Sequence, residues 1–213
     1  MDRSAEGPVT ADDLDEAVGL AVTTLSGAAP DAWERQAGTL EWTCWETAEH
    51  LADDLFAYAA QLAPRTPPLD GYIPLACEPH RPGGPRSSIL ADRAAGPTGL
   101  LQVLDAAGGL LVAVVRTRPP SVRAFHSRGV SDPEGYAALG IVETLVHTND
   151  LVDGLGLSWT PPAEICTRVL ARLFPDLPDG FEPWQTLLWA CGRAELPGHP
   201  RRISWRPYPG AQA

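Results

Sequence analysis

Basic side chains are scarce in this chain of 213 residues. Lys and Arg together number 16 against 27 Asp and Glu, which leaves a formal net charge of -11. A surface with that balance repels phosphate backbones and anionic lipid. No stretch gathers enough basic residues to reverse it locally, so neither nucleic acid nor a membrane is an expected partner.

Long apolar runs and closely spaced cysteine pairs are lacking too, and no signal peptide is expected. The longest apolar run, residues 109–115, is far too short to cross a bilayer, and the first twelve residues are polar and acidic. The four cysteines lie far apart without a C-x-x-C pair, which favours reduced thiols over a disulfide framework or a cysteine-rich zinc site. We therefore expect a cytoplasmic protein.

The remaining composition is that of a globular protein, with 44% hydrophobic and 20% charged residues. Apolar residues recur at helical spacing in four long segments and two shorter ones. The predicted helices span residues 11–25, 43–62, 98–116, 133–152, 162–174 and 183–193. We predict an all-α fold, an antiparallel four-helix bundle in residues 1–158 with a C-terminal helical extension, residues 159–213, packed on it.

Local signals mark several helix ends. Thr43 and Glu46 have the spacing of a capping box, and Asp132 followed by Pro133 is typical of a helix start. Gly154 and Gly156 are expected to stop the fourth helix, and the Gly pair at 108–109 to weaken the third.

Residues 64–97 show no periodicity and are rich in Pro, Gly and Arg. A loop of this length inside a compact domain is uncommon and is often a lid or a binding loop. A plain surface insertion fits the composition equally well.

Glu143 and His147 are four residues apart in the fourth predicted helix, so their side chains share one face among apolar neighbours. A carboxylate buried there needs a partner. A divalent cation would serve, and so would an intrahelical Glu–His hydrogen bond. The same spacing recurs at 46/50 and 195/199, but Glu46 belongs to the capping box and Pro197-Gly198 interrupts the last pair.

His50 borders the apolar face of the second predicted helix. Taken alone, His50 is expected to be a residue at the boundary between the apolar and polar faces of this helix. If the two helices face each other, however, His50, Glu143 and His147 make a set of two imidazoles and one carboxylate. Such a set leaves a coordination position open, as in catalytic zinc sites.

Several segments resemble a known family. They are residues 42–43, 48–51 and 142–151, and more weakly 124–126, 131–135 and 187–193. The first group is similar to the DinB-like superfamily of metal-dependent helical bundles, and most closely to the N-terminal domain of mycothiol-dependent maleylpyruvate isomerase. The second resembles a group of actinobacterial members. The resemblance implies that His50, Glu143 and His147 are the metal ligands.

One departure limits what the resemblance implies. The isomerase has a separate C-terminal α/β domain, whereas the last sixty or so residues here are too few and too helical to form it. The resemblance therefore does not imply maleylpyruvate isomerisation itself. It also assigns no arginine to a dicarboxylate substrate, although Arg86, Arg93 and Arg128 are available.

Other residues have two interpretations. His126 and Arg128 could bind substrate or belong to a surface loop. Asp150, three residues after His147, could orient that imidazole, or it could be an ordinary polar residue near a helix end. Cys44 could be a reactive thiol, but a buried small side chain is the expectation. Packing is likewise expected for three tryptophans: Trp45, Trp184 and Trp189.

The open coordination position suggests the chemistry. A thiol bound to a divalent cation loses its proton near neutral pH, and the resemblance implies that this thiol is mycothiol. The expected function is a thiol S-transferase or thiol-dependent isomerase acting on a small electrophile, with the 64–97 loop shaping its pocket. A hydrolase using bound water and a non-catalytic metal-binding or ligand-binding protein are the alternatives. Zinc is the expected metal, although the ligand set also accepts nickel, iron or manganese. The sequence does not identify the electrophile, and it does not distinguish a monomer from a dimer.

Overall fold

The computed structural model describes residues 7–174, 176–204 and 206–210, and it is mainly helical. This confirms the predicted all-α class. The outer ends of the two predicted domains, residues 1–6 and 211–213, lie outside the described residues, as do 175 and 205. The helices are α1 (Ala11–Leu25), α2 (Cys44–Leu62), α3 (Gly96–Thr117), α4 (Pro133–Leu155), α5 (Ala163–Leu173) and α6 (Pro183–Ala190).

The starts of α1, α2 and α4 depend on side-chain caps. The Thr43 hydroxyl accepts from the Glu46 N–H while the Glu46 carboxylate accepts from the Thr43 N–H, so the predicted capping box is confirmed. Thr10 and Asp13 form an equivalent box at α1. At α4 the Asp132 carboxylate accepts from the backbone of the first turn, as predicted.

The end of α4 differs slightly from the prediction. Gly156 ends the helix with a left-handed backbone, φ 70°, which glycine adopts without steric cost. Gly154, the other predicted stop, stays helical. A Cβ at Gly154 would lie 2.3 Å from the Gln36 carbonyl oxygen and 2.6 Å from the Cys44 sulfur, so this glycine permits the close approach of the start of α2 and of the chain before it.

The four long helices pack against one another, α1 on α3 and α4, and α2 on α3 and α4. Their common meeting point is Gly140 of α4. A Cβ there would lie 2.7 Å from Leu111 of α3, 3.2 Å from Leu14 of α1 and 3.3 Å from Leu55 of α2. The absence of a side chain at Gly140 therefore lets leucines from three helices fill the centre of the core.

The α3 helix is continuous through its Gly pair. A Cβ at Gly108 would lie 2.6 Å from Val18, so this glycine allows α1 to approach, whereas Gly109 faces open space. By length and composition, the span Arg93–Thr117, with a mean hydropathy of 1.8, could cross a membrane. Its leucines at 100, 104 and 111 are fully buried in the core, and 44% of its most apolar window is buried.

The 64–97 segment holds a small antiparallel ladder that the sequence did not predict, β1 (Glu78–Pro79) paired with β2 (Arg86–Ser87). The segment is fastened to α2. The Asp53 carboxylate accepts from the N–H groups of Ser88 and Ile89, at 2.7 and 2.9 Å. The Gln61 side-chain amide donates to the Gly71 carbonyl and accepts from the Ile73 N–H.

The two C-terminal helices join the core in sequence, α5 against α4 and α6 against α5. Arg172 of α5 donates to the Asp132 carboxylate and to the Pro209 carbonyl, both at 3.0 Å. Arg172 therefore links the start of α4 to the chain at Pro209.

Candidate metal centre

The two predicted histidine helices bring their imidazoles together. His50 of α2 and His147 of α4 have ring centroids 5.3 Å apart, with the rings nearly perpendicular. Each histidine also lies one helical turn from a carboxylate on its own helix. The predicted residues His50 and His147 thus meet between α2 and α4, and the predicted residue Glu143 contacts His147.

Two contacts define the cluster. His147 Nε2 lies 3.5 Å from Glu143 Oε2, and His50 Nε2 lies 3.3 Å from Asp54 Oδ2. Two ligand atoms of a tetrahedral cation with bonds of about 2.1 Å lie about 3.4 Å apart, so both distances suit ligands of a shared cation. His50, Asp54 and His147 can each offer one donor atom within 4.8 Å of the others.

Asp54 is a member of this cluster that the sequence reasoning missed. The signal was available, because His50 and Asp54 are four residues apart and repeat the spacing of Glu143 and His147. Asp54 follows a second aspartate, however, and two adjacent acids suggest a solvated surface. The neighbours in fact point to different partners, since Asp53 accepts from loop amides while Asp54 faces His50.

His147 is flanked on its other side by Asp150, whose Oδ2 lies 3.4 Å from Nδ1, within ion-pair range but outside hydrogen-bond geometry. Asp150 accepts from both Nε and a terminal nitrogen of Arg193, at 3.3 and 2.8 Å. Asp150 therefore lies beside the His147 ring, in a position from which it could orient that imidazole. Arg193, from the segment after α6, was not singled out from the sequence.

Glu143 has a second neighbour in Tyr58. The Tyr58 hydroxyl donates to Glu143 Oε1 at 3.4 Å, while Oε2 faces His147. The two carboxylate oxygens thus have different surroundings, and only Oε2 is directed at the cluster. Tyr58 is eight residues after His50 on α2, so it lies on the same helix face.

The cluster is sheltered yet reachable from solvent. The side chain of His147 is 8% exposed, against 22% for His50 and 24% for Asp54. The Nδ1 atoms of both histidines are buried without a hydrogen-bond partner among the described residues. A small molecule could therefore approach from the α2 side, while His147 forms the floor.

The pKa values of the two histidines are shifted in opposite directions. Burial, and next to it the charge of His147, lowers the pKa of His50 to about 4. Burial would also lower the pKa of His147, but the Asp150 and Glu143 carboxylates outweigh it and raise that pKa to about 9. At neutral pH without a cation, His147 is therefore protonated and His50 neutral. A bound cation would take the place of the His147 proton.

The two cluster carboxylates also differ. Burial, followed by the nearby Glu143 charge, raises the pKa of Asp54 well above its usual range. Burial acts on Glu143 in the same direction, but contact with His147 outweighs it and lowers the pKa of Glu143. Two acids this close repel each other when both are ionised, and a divalent cation between them would remove that repulsion.

An aromatic wall borders the cluster next to Glu143. His126 lies in a buried position with ring centroids 6.2 Å from Tyr58, 6.4 Å from Tyr136 and 6.5 Å from Tyr72. Its Nδ1 accepts from the Arg128 N–H at 3.2 Å, so in the neutral imidazole the proton is on Nε2. The Arg128 side chain is exposed, and its charge contributes to the lowered pKa of His126 after burial.

The other available arginines are occupied elsewhere. Arg86 donates to the Cys77 carbonyl within the loop. Arg93 pairs with Glu34 and lies over the Trp45 ring, 4.4 Å from its centroid. Neither contact involves the histidine cluster.

Cys44 and all three of these tryptophans have packing environments, as expected. The Cys44 thiol is buried against the Leu151 carbonyl, and burial raises its pKa to about 11, which disfavours a reactive thiolate. Trp45 is buried in the core, and Trp189 donates to the Pro200 carbonyl. Trp184 is partly buried and packs against the core.

Comparison of the chain with models of protein families, with curated proteins and with solved structures found no match. The resemblance to the DinB-like superfamily therefore remains an expectation drawn from the residues themselves.

Proposed function

We propose that this chain is a divalent-metal-dependent enzyme that uses a small thiol, with His50, Glu143 and His147 holding the cation. The single observation that carries the proposal is the convergence of two imidazoles and a carboxylate from α2 and α4 in a partly open cluster. When bound there, a cation would stabilise the thiolate form of a thiol at neutral pH.

The donor set fits a cation better than it fits a purely structural Glu–His pair. The contacts of the two histidines with Asp54, Glu143 and Asp150 measure 3.3–3.5 Å, against about 2.8 Å for a charge-assisted hydrogen bond. The Nε2 atoms of both histidines face these carboxylates, so a cation bound between them would contact a lone pair from each ring.

We assign zinc as the first candidate, with nickel, iron or manganese also accepted by this ligand type. Mycothiol as the thiol follows from the resemblance alone, and so does the comparison with a DinB-like antiparallel four-helix bundle. The four cysteines are free thiols, which supports a reducing cytoplasm.

The electrophile would lie against the aromatic wall. The Nε2 proton of His126 is available to a carbonyl or carboxylate oxygen, and Tyr72 adds an exposed aromatic face from the 64–97 loop. The chemical reaction is then transfer of the thiol to the electrophile, or isomerisation through a transient thiol adduct.

The main rival is metal-dependent hydrolysis with water in place of the thiol. The second rival is a non-catalytic metal-binding protein. The additional carboxylate of Asp54 favours this rival, because a fourth protein ligand is typical of structural metal sites. These rivals differ from the proposal in how turnover depends on thiol and metal.

The experiment begins with protein purified without a metal-affinity column and analysed for bound elements. Turnover of 1-chloro-2,4-dinitrobenzene and of p-nitrophenyl acetate is then measured with and without mycothiol, with His147→Ala as the control. Turnover that needs both metal and thiol supports the proposal. Ester hydrolysis without thiol would establish the hydrolase instead. Metal with no turnover of either compound, and a large fall in melting temperature under chelator, would indicate a structural site.

A further inference from the structure

The side chains of the cluster are not equally anchored. His147 is flanked by Asp150, which Arg193 in turn holds, and Glu143 accepts from Tyr58. His50 packs against the edge of Trp42, with ring centroids 4.9 Å apart. Each of these side chains is therefore supported by a group outside the cluster.

Asp54 has no such support. Its only hydrogen-bond or ion-pair partner among the described residues is His50 Nε2, at 3.3 Å, and that partner is itself in the cluster. Asp54 and His50 are the most exposed of the four side chains, at 24% and 22%, so both lie on the side from which a small molecule would enter. If the Asp54 carboxylate left its place, the contact that it would lose is the one with His50.

Asp54 can nevertheless reach a cation shared with the histidines. Its donor atom and those of His50 and His147 lie within 4.8 Å of one another. Two ligands of a tetrahedral cation with bonds of about 2.1 Å lie about 3.4 Å apart, so the donor atoms would have to approach one another by at most about 1.4 Å to share one cation.

We propose that Asp54 is a fourth protein ligand of the cation and the one that gives up its place to an incoming ligand. The inference rests on the metal site of the proposed function. With Asp54 bound, two carboxylates balance the charge of a divalent cation. When a thiol enters, its S–H bond breaks, the proton passes to solvent, and the thiolate replaces the Asp54 carboxylate, so that the charge balance is kept.

The test uses cobalt(II) as a spectroscopic probe and 2-mercaptoethanol as the probe thiol. Cobalt affinity and the thiol concentration at half-saturation are measured by visible absorption for the parent and for Asp54→Asn. The matched control is Asp53→Asn, which removes a charge at the adjacent position of α2 from a side chain that faces the loop amides.

Asp54→Asn should bind cobalt about tenfold more weakly, at the lower end of the effects measured around metal sites. Because the thiol would no longer have to displace a carboxylate, the half-saturating thiol concentration should fall by a similar factor, as linkage requires. Asp54→Glu should stay closer to the parent in both measurements, and Asp53→Asn should match it. Far-UV circular dichroism verifies that each variant is folded, and Asp54→Ala, with the same expected changes, replaces the Asn variant if that one is not.

Two contrary results have different meanings. If Asp54→Asn keeps either the parent's cobalt affinity or its thiol midpoint, Asp54 is not a displaceable ligand, although the metal site stands. If the parent itself takes up no stoichiometric cobalt, the metal site is absent, and the proposed function falls together with the inference.

Discussion

Replacing Asp150 by Asn removes one negative charge from a buried chain of contacts that runs from His147 to Arg193. Asp150 is 3% exposed and accepts from two nitrogens of Arg193. Burial would raise the pKa of Asp150, but contacts with His147 and Arg193 outweigh it and lower that pKa, so the carboxylate is ionised at neutral pH. Asn has nearly the same shape and leaves no cavity, so the substitution isolates the charge.

The magnitude follows from the burial of the partner. Removing one member of a fully buried ion pair costs about 3–5 kcal/mol, because the other charge is left uncompensated. The Arg193 side chain retains 16% exposure, and water will screen part of its charge. We therefore expect Asp150→Asn to lower the free energy of unfolding by about 2 kcal/mol in the presence of chelator.

Metal binding should weaken at the same time. Groups that orient a metal-bound imidazole contribute about 10–100-fold in affinity, and we expect a loss in that range for zinc. The assays are urea unfolding followed by circular dichroism, and zinc competition with a chromophoric chelator. Asp153→Asn is the control, since Asp153 lies on α4 but is exposed, and it should change stability by no more than about 0.5 kcal/mol. Parental zinc affinity in Asp150→Asn would refute an orienting role for Asp150.

Three further predictions concern the site and the core. Glu143→Gln should lower zinc affinity by at least about 100-fold without unfolding the protein, as dialysis against zinc and circular dichroism would reveal; unchanged affinity would make Glu143 a structural residue. Gly140→Ala should lower the free energy of unfolding, measured in urea, by about 1–3 kcal/mol, because its Cβ would meet the core leucines. Gly109 faces open space, so Gly109→Ala should raise that free energy by about 0.5–1 kcal/mol. Equal effects of the two substitutions would contradict the described packing. In chelator, the contribution of the two histidines to stability should be greatest near pH 6.5, with a slope of at most about 1.4 kcal/mol per pH unit from each histidine. The raised pKa of His147 favours the folded state below pH 6.5, and this contribution is lost as the pH rises through about 9. The lowered pKa of His50 costs stability as the pH falls from 6.5 towards 4. A flat stability profile over both pH ranges would contradict these shifts.

Local signals explain why much of the helical architecture could be predicted. The capping box of Thr43 and Glu46 and the Asp132–Pro133 start involve neighbours in sequence, so spacing alone reveals them. The ladder of β1 and β2 escaped because strands of two residues have no alternation to detect.

The candidate site was only partly predictable. His50 and His147 could be predicted as candidate ligands because each lies on or beside an apolar helix face. The family resemblance implied that the two histidines bind the same cation. Asp54 was missed because it adjoins another acid. Arg193 was missed because it lies 43 residues from Asp150, and no spacing rule connects residues that meet only after α5 and α6 have packed onto α4.

The central claim is that side chains from α2 and α4 converge on one divalent cation. The most direct measurement is elemental analysis of the parent protein and of His147→Ala, each equilibrated with zinc and then dialysed. The account predicts about one zinc ion per parent chain and almost none in the variant, with both proteins folded. Zinc retained undiminished in His147→Ala, or absent from the parent, would contradict it.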